Sequence, residues 1–309
     1  MAGETVATAL AKAIGRPAFI YGTAWKKAET TRLVQEALAS GFTAVDTAAQ
    51  PKHYREDLVG KALRNSFESD IISRERLFLQ TKFTAPGGQS LSNIPYNPDD
   101  ELQVQIETSV KSSFRNLRPR EETESENETY IDCLLLHSPL DTLESTVQAW
   151  KVLESYVPKR IRHLGISNVD LQILQGLYDS VEIKPAVVQN RFIPMTGYDV
   201  ELREFCADKG IMYESFWTLT GNPNLLRLES VQDLAAKVRV APEVGCYALV
   251  MALGITTLNG TTSTEHMKDD LAGVLKVQEW ASEHPEEWQK AKDSFRTFIG
   301  AMSKIDTLG

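Results

Sequence analysis

Four polar side chains stand at or just beyond the ends of short apolar runs. Asp46 follows 43–45, Lys82 follows 77–81, His137 follows 131–136, and Gln189 closes 186–189. A carboxylate, an ammonium, an imidazole and an amide together offer a charged pair, a proton-transfer group and a mixed donor and acceptor. That set can hold a polarised ligand and move a proton. Any one of them alone is more often structural than catalytic, and Asp46 with Lys82 could be no more than a buried ion pair. What sets them apart is a shared topological position.

The runs that carry them belong to a series of eight strand candidates, at 18–21, 43–45, 77–81, 131–136, 163–166, 186–189, 211–215 and 254–258. Helical periods lie between them. The stretch 30–39 places Leu33, Val34, Ala37 and Leu38 on one face, and 143–156 does the same with Val147, Trp150, Leu153 and Tyr156. Strand and helix alternating in this way predict a parallel sheet. An open, doubly wound sheet would announce a dinucleotide site by GxGxxG after an early strand, and the chain has none. The expectation is a closed (β/α)₈ barrel, a TIM barrel, in one domain over 1–309. In such a barrel the C-terminal strand ends open onto a single pocket.

Two stretches break the rhythm. Residues 84–100 are rich in Pro, Gly, Ser and Asn, and 119–128 are a run of charge; both are expected as surface loops, the first on the substrate rim. The segment after Leu271, with Trp280, Trp288 and Phe298, is expected as terminal helices packed on the barrel.

Composition narrows the function further. With 33 basic and 42 acidic side chains the formal charge is −9, which repels a phosphate backbone, so no nucleic-acid partner is expected. Cys133, Cys206 and Cys246 form neither a disulfide framework nor CxxC spacing. His53, His137, His163, His266 and His284 show neither HxH nor HExxH, so no metal is expected. The sequence shows no secretion signal and no run of roughly 20 apolar residues, the length that spans a bilayer. A cytoplasmic protein without a membrane partner is therefore expected, and the sequons Asn127-Glu128-Thr129 and Asn259-Gly260-Thr261 are read as coincidental. Its oligomeric state is left as monomer or homodimer.

The chain resembles the aldo-keto reductases through motifs in family order: Gly22-Thr23-Ala24-Trp25, Val45-Asp46-Thr47-Ala48, Leu79-Gln80-Thr81-Lys82, 132–139 ending His137-Ser138-Pro139, 161–168 ending Ser167-Asn168, and Pro185-Ala186-Val187-Val188-Gln189. The resemblance implies the barrel, a nicotinamide cofactor (NADPH, with NADH as the alternative), a small-molecule carbonyl substrate, and catalysis by Asp46, Tyr54, Lys82 and His137. A phenol, with an ordinary pKa of about 10, is a poor acid near neutrality, so a neighbouring Lys82 is expected to lower it. Asp46 would keep Lys82 charged and His137 would position the carbonyl oxygen.

The tyrosine departs from the family pattern. Its usual place, five residues after the aspartate, is Pro51, and counting back from Glu56 and Gly60 lands on His53. An insertion and a one-residue shift give Tyr54, with His53 as the alternative acid. For the cofactor, the resemblance implies Gly22, Thr23, Asp46, Ser167, Asn168 and Gln189, and stacking on Phe216, which stands where a tyrosine is usual. At the adenosine end it implies Gly260, Thr261, Thr262, His266 and Asp270. Gly260 and His266 replace a lysine and an arginine that would bind a 2′-phosphate, with Lys268 a candidate to compensate. Trp25, Tyr54, Phe83 and His137 are the expected substrate contacts. The alternative is a barrel that binds cofactor without turnover and serves as a regulatory subunit.

Overall fold

In the computed structural model, which describes residue 17 and residues 19–300, eight parallel strands close into a barrel in sequence order. They are β1 (Phe19–Gly22), β2 (Ala44–Asp46), β3 (Phe78–Phe83), β4 (Ile131–Leu136), β5 (Ile161–Ser167), β6 (Val187–Arg191), β7 (Met212–Phe216) and β8 (Thr256–Asn259). The first strand pairs with the last through Phe19 and Thr257, Ile20 and Leu258, and Tyr21 and Asn259. Each expected strand is present, with ends displaced by at most two residues. The displacement at β3 matters most, because Lys82 lies inside that strand rather than beyond it.

Around the barrel run α1 (Thr30–Ser40), α2 (Glu56–Glu68), α3 (Leu102–Asn116), α4 (Leu143–Glu154), α5 (Leu171–Ser180) and α6 (Val200–Lys209). They are followed by α7 (Glu229–Val238), α8 (Pro242–Ala252), α9 (Thr264–Glu283) and α10 (Pro285–Phe298). α1 buries Leu33, Val34, Ala37 and Leu38, the stripe read from the sequence, and stops at Gly41, whose φ of 113° is open to glycine at little cost. α4 begins at a reciprocal cap in which Thr142 accepts from the Ser145 amide while the Ser145 hydroxyl accepts from the Thr142 amide. Terminal helices do pack on the barrel, and Trp280 and Trp288 lean on the core. Phe298, expected with them, is half exposed. Among the described residues no helix is long and apolar enough to cross a membrane.

The barrel interior has two layers. The lower is apolar: Cys133, Leu135 and Val187 form a buried cluster with Phe78, Ala186 and Met212 against it. Gly165 belongs to this packing, since a Cβ there would lie 2.4 Å from Leu135 Cδ2 and 2.6 Å from the Val187 carbonyl oxygen. Because strand side chains alternate with a period of two, the same strands that point Leu135, Val187 and Met212 inward also point His137, Gln189 and Glu214 inward. The chain thus lays a polar layer directly above an apolar one.

Candidate active site

Asp46 ends β2 and Lys82 lies four residues into β3, and their side chains meet inside the barrel. Lys82 Nζ donates to both Asp46 carboxylate oxygens at 2.6 Å and to the Thr47 carbonyl at 3.0 Å. Both side chains are at most 2 % exposed. Burial works against the ammonium, but the charge of Asp46, with Tyr54 and Glu214 behind it, outweighs that and raises the Lys82 pKa above its ordinary value. A buried charge of this kind persists only when paired and hydrogen-bonded.

Beneath this pair lies a carboxyl that the sequence reading did not single out. Glu214, on β7, is fully buried, and two amides bridge it to Asp46. Gln80 Nε2 donates to Asp46 Oδ1 at 2.9 Å and to Glu214 Oε2 at 2.7 Å. Gln189 Nε2 does the same at 3.1 and 2.8 Å. Among the described residues, Glu214 Oε1 and Gln80 Oε1 are buried without a partner. Burial, with Asp46 adding to it, pushes the Glu214 carboxyl up to about 7. The signal was in the strand parity: Glu214 precedes Phe216 by two residues and Gln80 precedes Lys82 by two, so each had to face inward with its successor.

Tyr54, in the loop between β2 and α2, reaches the same place. Its ring centroid lies 5.3 Å from Lys82 Nζ, and its ring meets that of His137 edge to face at 5.9 Å. One expectation changes here. The three hydrogen bonds of Lys82 go to Asp46 and Thr47, so the Tyr54 hydroxyl receives charge from Lys82 rather than a hydrogen bond. Burial also outweighs Lys82, with Asp46 adding to it, and leaves the phenol pKa above its ordinary value instead of below it. The phenol therefore carries its proton at neutral pH. His53 turns the other way and lays its ring on Trp25, with centroids 3.7 Å apart.

His137 follows β4, and its Nδ1 lies 2.6 Å from the Thr84 hydroxyl. Burial, with the charges of Lys82, His53 and Arg191, lowers its pKa to about 3, so the ring is neutral. If Thr84 donates to Nδ1, the ring proton sits on Nε2. Thr84 is a neighbour that the sequence reading placed in a variable loop. Phe83, expected on the substrate wall, is a correction: it is 2 % exposed and packs on Tyr96, with centroids 5.7 Å apart. β3 continues through Phe83, so alternation points Phe83 outward to the helix layer and Thr84 inward. Trp25, also expected on the substrate wall, is 62 % exposed with its ring against His53.

The expected nicotinamide contacts also converge. Ser167 Oγ donates to the Gln189 carbonyl at 2.6 Å, and Asn168 Nδ2 donates to the His137 carbonyl at 2.8 Å and to Ser167 Oγ at 3.1 Å. With both Nε2 protons of Gln189 given to carboxylates, its Oε1 is left to accept from a ligand. Phe216 is half-buried beside them, with Trp217 at 5.9 Å. Arg191, from β6, donates to Asn168 Oδ1 at 2.6 Å. This donor set fits a carboxamide on a flat ring, with an amide acceptor, a second free lone pair on Asn168, and an aromatic face. Thr23 is fully buried and ties β1 to β2, its amide and hydroxyl both donating to the Asp46 carbonyl, at 3.0 and 2.9 Å. Gly22 is half-buried just before it.

The expected adenosine end is a loop and a helix start. Thr262, His266, Gly260 and Lys268 are exposed, Thr261 is half-buried, and Ser263 caps α9 by accepting from the His266 amide. Asp270, expected to touch the cofactor, is buried and accepts from Asn259 Nδ2 at 2.7 Å. Asn259 Oδ1 in turn accepts from the Thr261 amide at 3.0 Å, so Asp270 shapes the loop from behind. A cation does lie beside position 260: Lys26 donates to the Gly260 carbonyl, and its Nζ is 4.0 Å from where a Gly260 Cβ would sit. Sequence alignment alone could not find it, because Lys26 comes from the opposite end of the chain.

Known proteins share this chain's sequence pattern and fold. The chain is 28% identical over 241 residues to an uncharacterized oxidoreductase of Schizosaccharomyces pombe, covering 77% of this chain and 75% of that one. It is 30% identical to a glyoxal reductase of Bacillus subtilis, covering 68% and 64%. A Bombyx mori aldo-keto reductase solved in complex with NADP shares the fold with a TM-score of 0.64 at 17% identity, over 85% of this chain and 89% of that one. The model of the Aldo/keto reductase family matches residues 14–290, from before β1 into α10, and the chain belongs to that family.

Proposed function

We propose that this oxidoreductase reduces small aldehydes or ketones to alcohols, with Tyr54 as the proton donor and NADPH, or alternatively NADH, as the cofactor. The observation that carries the reading is the Tyr54 ring held between Lys82 Nζ at 5.3 Å and the His137 ring at 5.9 Å. The relative named a glyoxal reductase and the neighbour solved with NADP support the substrate class and the cofactor.

Bound reduced nicotinamide supplies a hydride; the chain's own residues manage the charge that follows. A neutral His137, with Nε2 bearing the proton, hydrogen-bonds the carbonyl oxygen and orients it. Tyr54 is protonated and stands beside that oxygen's place, ready to donate. The phenolate left behind is stabilised by the Lys82 ammonium, which Asp46 holds charged and fixed. Ser167, Asn168 and the free Oε1 of Gln189 hold the carboxamide, and Phe216 backs its ring. Trp25 and His53 form an aromatic edge to the substrate opening.

The test follows NADPH and, separately, NADH oxidation with glyoxal and with aromatic and aliphatic aldehydes. Carbonyl-dependent turnover is expected, reduced about 10²- to 10⁴-fold in Tyr54→Phe, the usual worth of a general acid, and retained in His53→Ala. Loss in His53→Ala with survival in Tyr54→Phe would move the acid to the imidazole. Cofactor binding without any turnover would turn the reading to a catalytically silent barrel.

A further inference from the structure

Arg191 lies in the middle of the proposed nicotinamide contacts. It follows Gln189 by two residues on β6, so the strand sends both side chains to the same face. Its Nη1 donates to Asn168 Oδ1 at 2.6 Å, and its guanidinium carbon lies 5.3 Å from the Phe216 ring and 5.0 Å from the Trp217 ring. Asn168 in turn is tied to Ser167 Oγ and to the His137 carbonyl. Among the described residues Arg191 has no carboxylate within ion-pair distance. A guanidinium cannot shed its proton at any working pH. A permanent, uncompensated positive charge therefore sits against the residues proposed to hold the nicotinamide.

That location has a consequence for one particular pair of ligands. Reduced nicotinamide is a neutral ring and oxidised nicotinamide is a cation, while the rest of the dinucleotide, phosphates included, is the same in both. A fixed cation nearby repels only the oxidised ring. For a charge at the solvent-facing rim, where the effective dielectric is well above that of the interior, such a repulsion is expected to be worth about fivefold in an equilibrium constant.

We propose that Arg191 is a specificity residue for the redox state of the cofactor, weakening the hold on NADP⁺ relative to NADPH and so clearing the spent form from the site. The inference rests on the nicotinamide site proposed above and assigns it a discrimination that the donor set alone does not supply. Arg191 is exposed at the rim, and the Asn168 hydrogen bond and the two aromatic rings hold its guanidinium over the site rather than burying it. Their role is positioning; the discrimination comes from the charge.

The test measures dissociation constants of NADP⁺ and NADPH for the wild-type protein, Arg191→Gln and Arg191→Lys, by calorimetry and by quenching of tryptophan fluorescence. The quantity read is the ratio Kd(NADP⁺)/Kd(NADPH), in which contributions from the shared phosphates cancel. The ratio is expected to fall about fivefold in Arg191→Gln and to stay near the wild-type value in Arg191→Lys. For the wild type it is also expected to shrink as salt is raised, because a rim charge is screened. An unchanged ratio in Arg191→Gln overturns the inference, including the case where both constants weaken by one common factor. A wild-type ratio indifferent to salt counts against it without any variant. Wild-type protein that binds neither form overturns the site reading itself, and this inference with it.

Discussion

At the proposed nicotinamide end the side chains that matter rise from strands, whereas at the adenosine end they sit on a loop and the first turn of one helix. The contrast is physical. Asp46, Gln80, Lys82, Gln189 and Glu214 are each at most 2 % exposed and come from four neighbouring or facing strands whose register is fixed by backbone pairing. Thr262 and His266 are exposed, on a segment held by the cap at Ser263 and by the Asp270–Asn259–Thr261 chain behind it. Electrostatic effects are strong where water is excluded and weak where it is not, so the two ends should answer substitution on different scales.

The largest effect is expected at Lys82. Replacing it by Met strands Asp46 in the barrel interior and should lower unfolding free energy by about 3–5 kcal/mol, the usual cost of removing one partner from a buried pair. Urea unfolding measures it. The double variant Asp46→Asn with Lys82→Met leaves no stranded charge of the pair and should regain much of that stability while turnover stays lost. If the double variant were no more stable than the single one, the pair would not be the element that organises this end.

Glu214 sharpens the comparison through pH. Its carboxyl is raised from 4.5 to about 7, so between those values the folded chain holds a proton that the unfolded chain has released. Its stabilising contribution is whole below the unfolded value and is lost as pH rises through about 7. Integrated, that amounts to up to about 3 kcal/mol. Asp270, raised from 3.8 to about 6 by burial, acts in the same direction over a lower window. The informative quantity is therefore the difference between wild type and Glu214→Gln: the amide mimics the protonated acid, and the variant's unfolding free energy should fall less between pH 5 and 8. Parallel pH curves for the two proteins would mean that Glu214 is ionised throughout.

The same contrast explains how much the sequence could tell. Asp46, Lys82, His137 and Gln189 were legible because strand ends in a barrel share one mouth, a rule of topology that needs no coordinates. Glu214 and Gln80 obeyed the same alternation but lay two residues deeper, inside the strands rather than at the ends that the topology rule picks out. Phe83 and Thr84 exchanged roles because β3 runs two residues past its apolar stretch, and one step along a strand reverses the face. Lys26 was invisible for a different reason. Its partner is Gly260, 234 positions away, and only closure of β1 on β8 brings them together. The sign of the Tyr54 shift was also beyond reach, since it depends on how deeply the ring is buried and not on which charges are near.

Thr84 marks the boundary between what is fixed by strands and what is fixed by loops, and its expected effect is intermediate. Thr84→Val keeps the shape but removes the hydroxyl 2.6 Å from His137 Nδ1. A lost buried hydrogen bond costs about 1–3 kcal/mol, so kcat should fall by roughly tenfold with cofactor affinity unchanged, and Thr84→Ser should recover most of it. A loss in cofactor affinity instead would show that Thr84 supports the loop rather than the tautomer.

The smallest effect is expected at the adenosine end. His266 lies on the first turn of α9, exposed, where Arg would add a permanent charge for a 2′-phosphate. A contact of that kind in water is worth about 0.3–1 kcal/mol, so His266→Arg should tighten NADPH by about two- to fivefold and leave NADH nearly unchanged. Lys26→Met, which removes a cation that is 8 % exposed, should move NADPH further than His266→Arg does, and in the opposite direction. If the exposed substitution proved the stronger of the two, burial would not be what separates the two ends. The division drawn between a strand-built site and a loop-built one would then fail on its own terms.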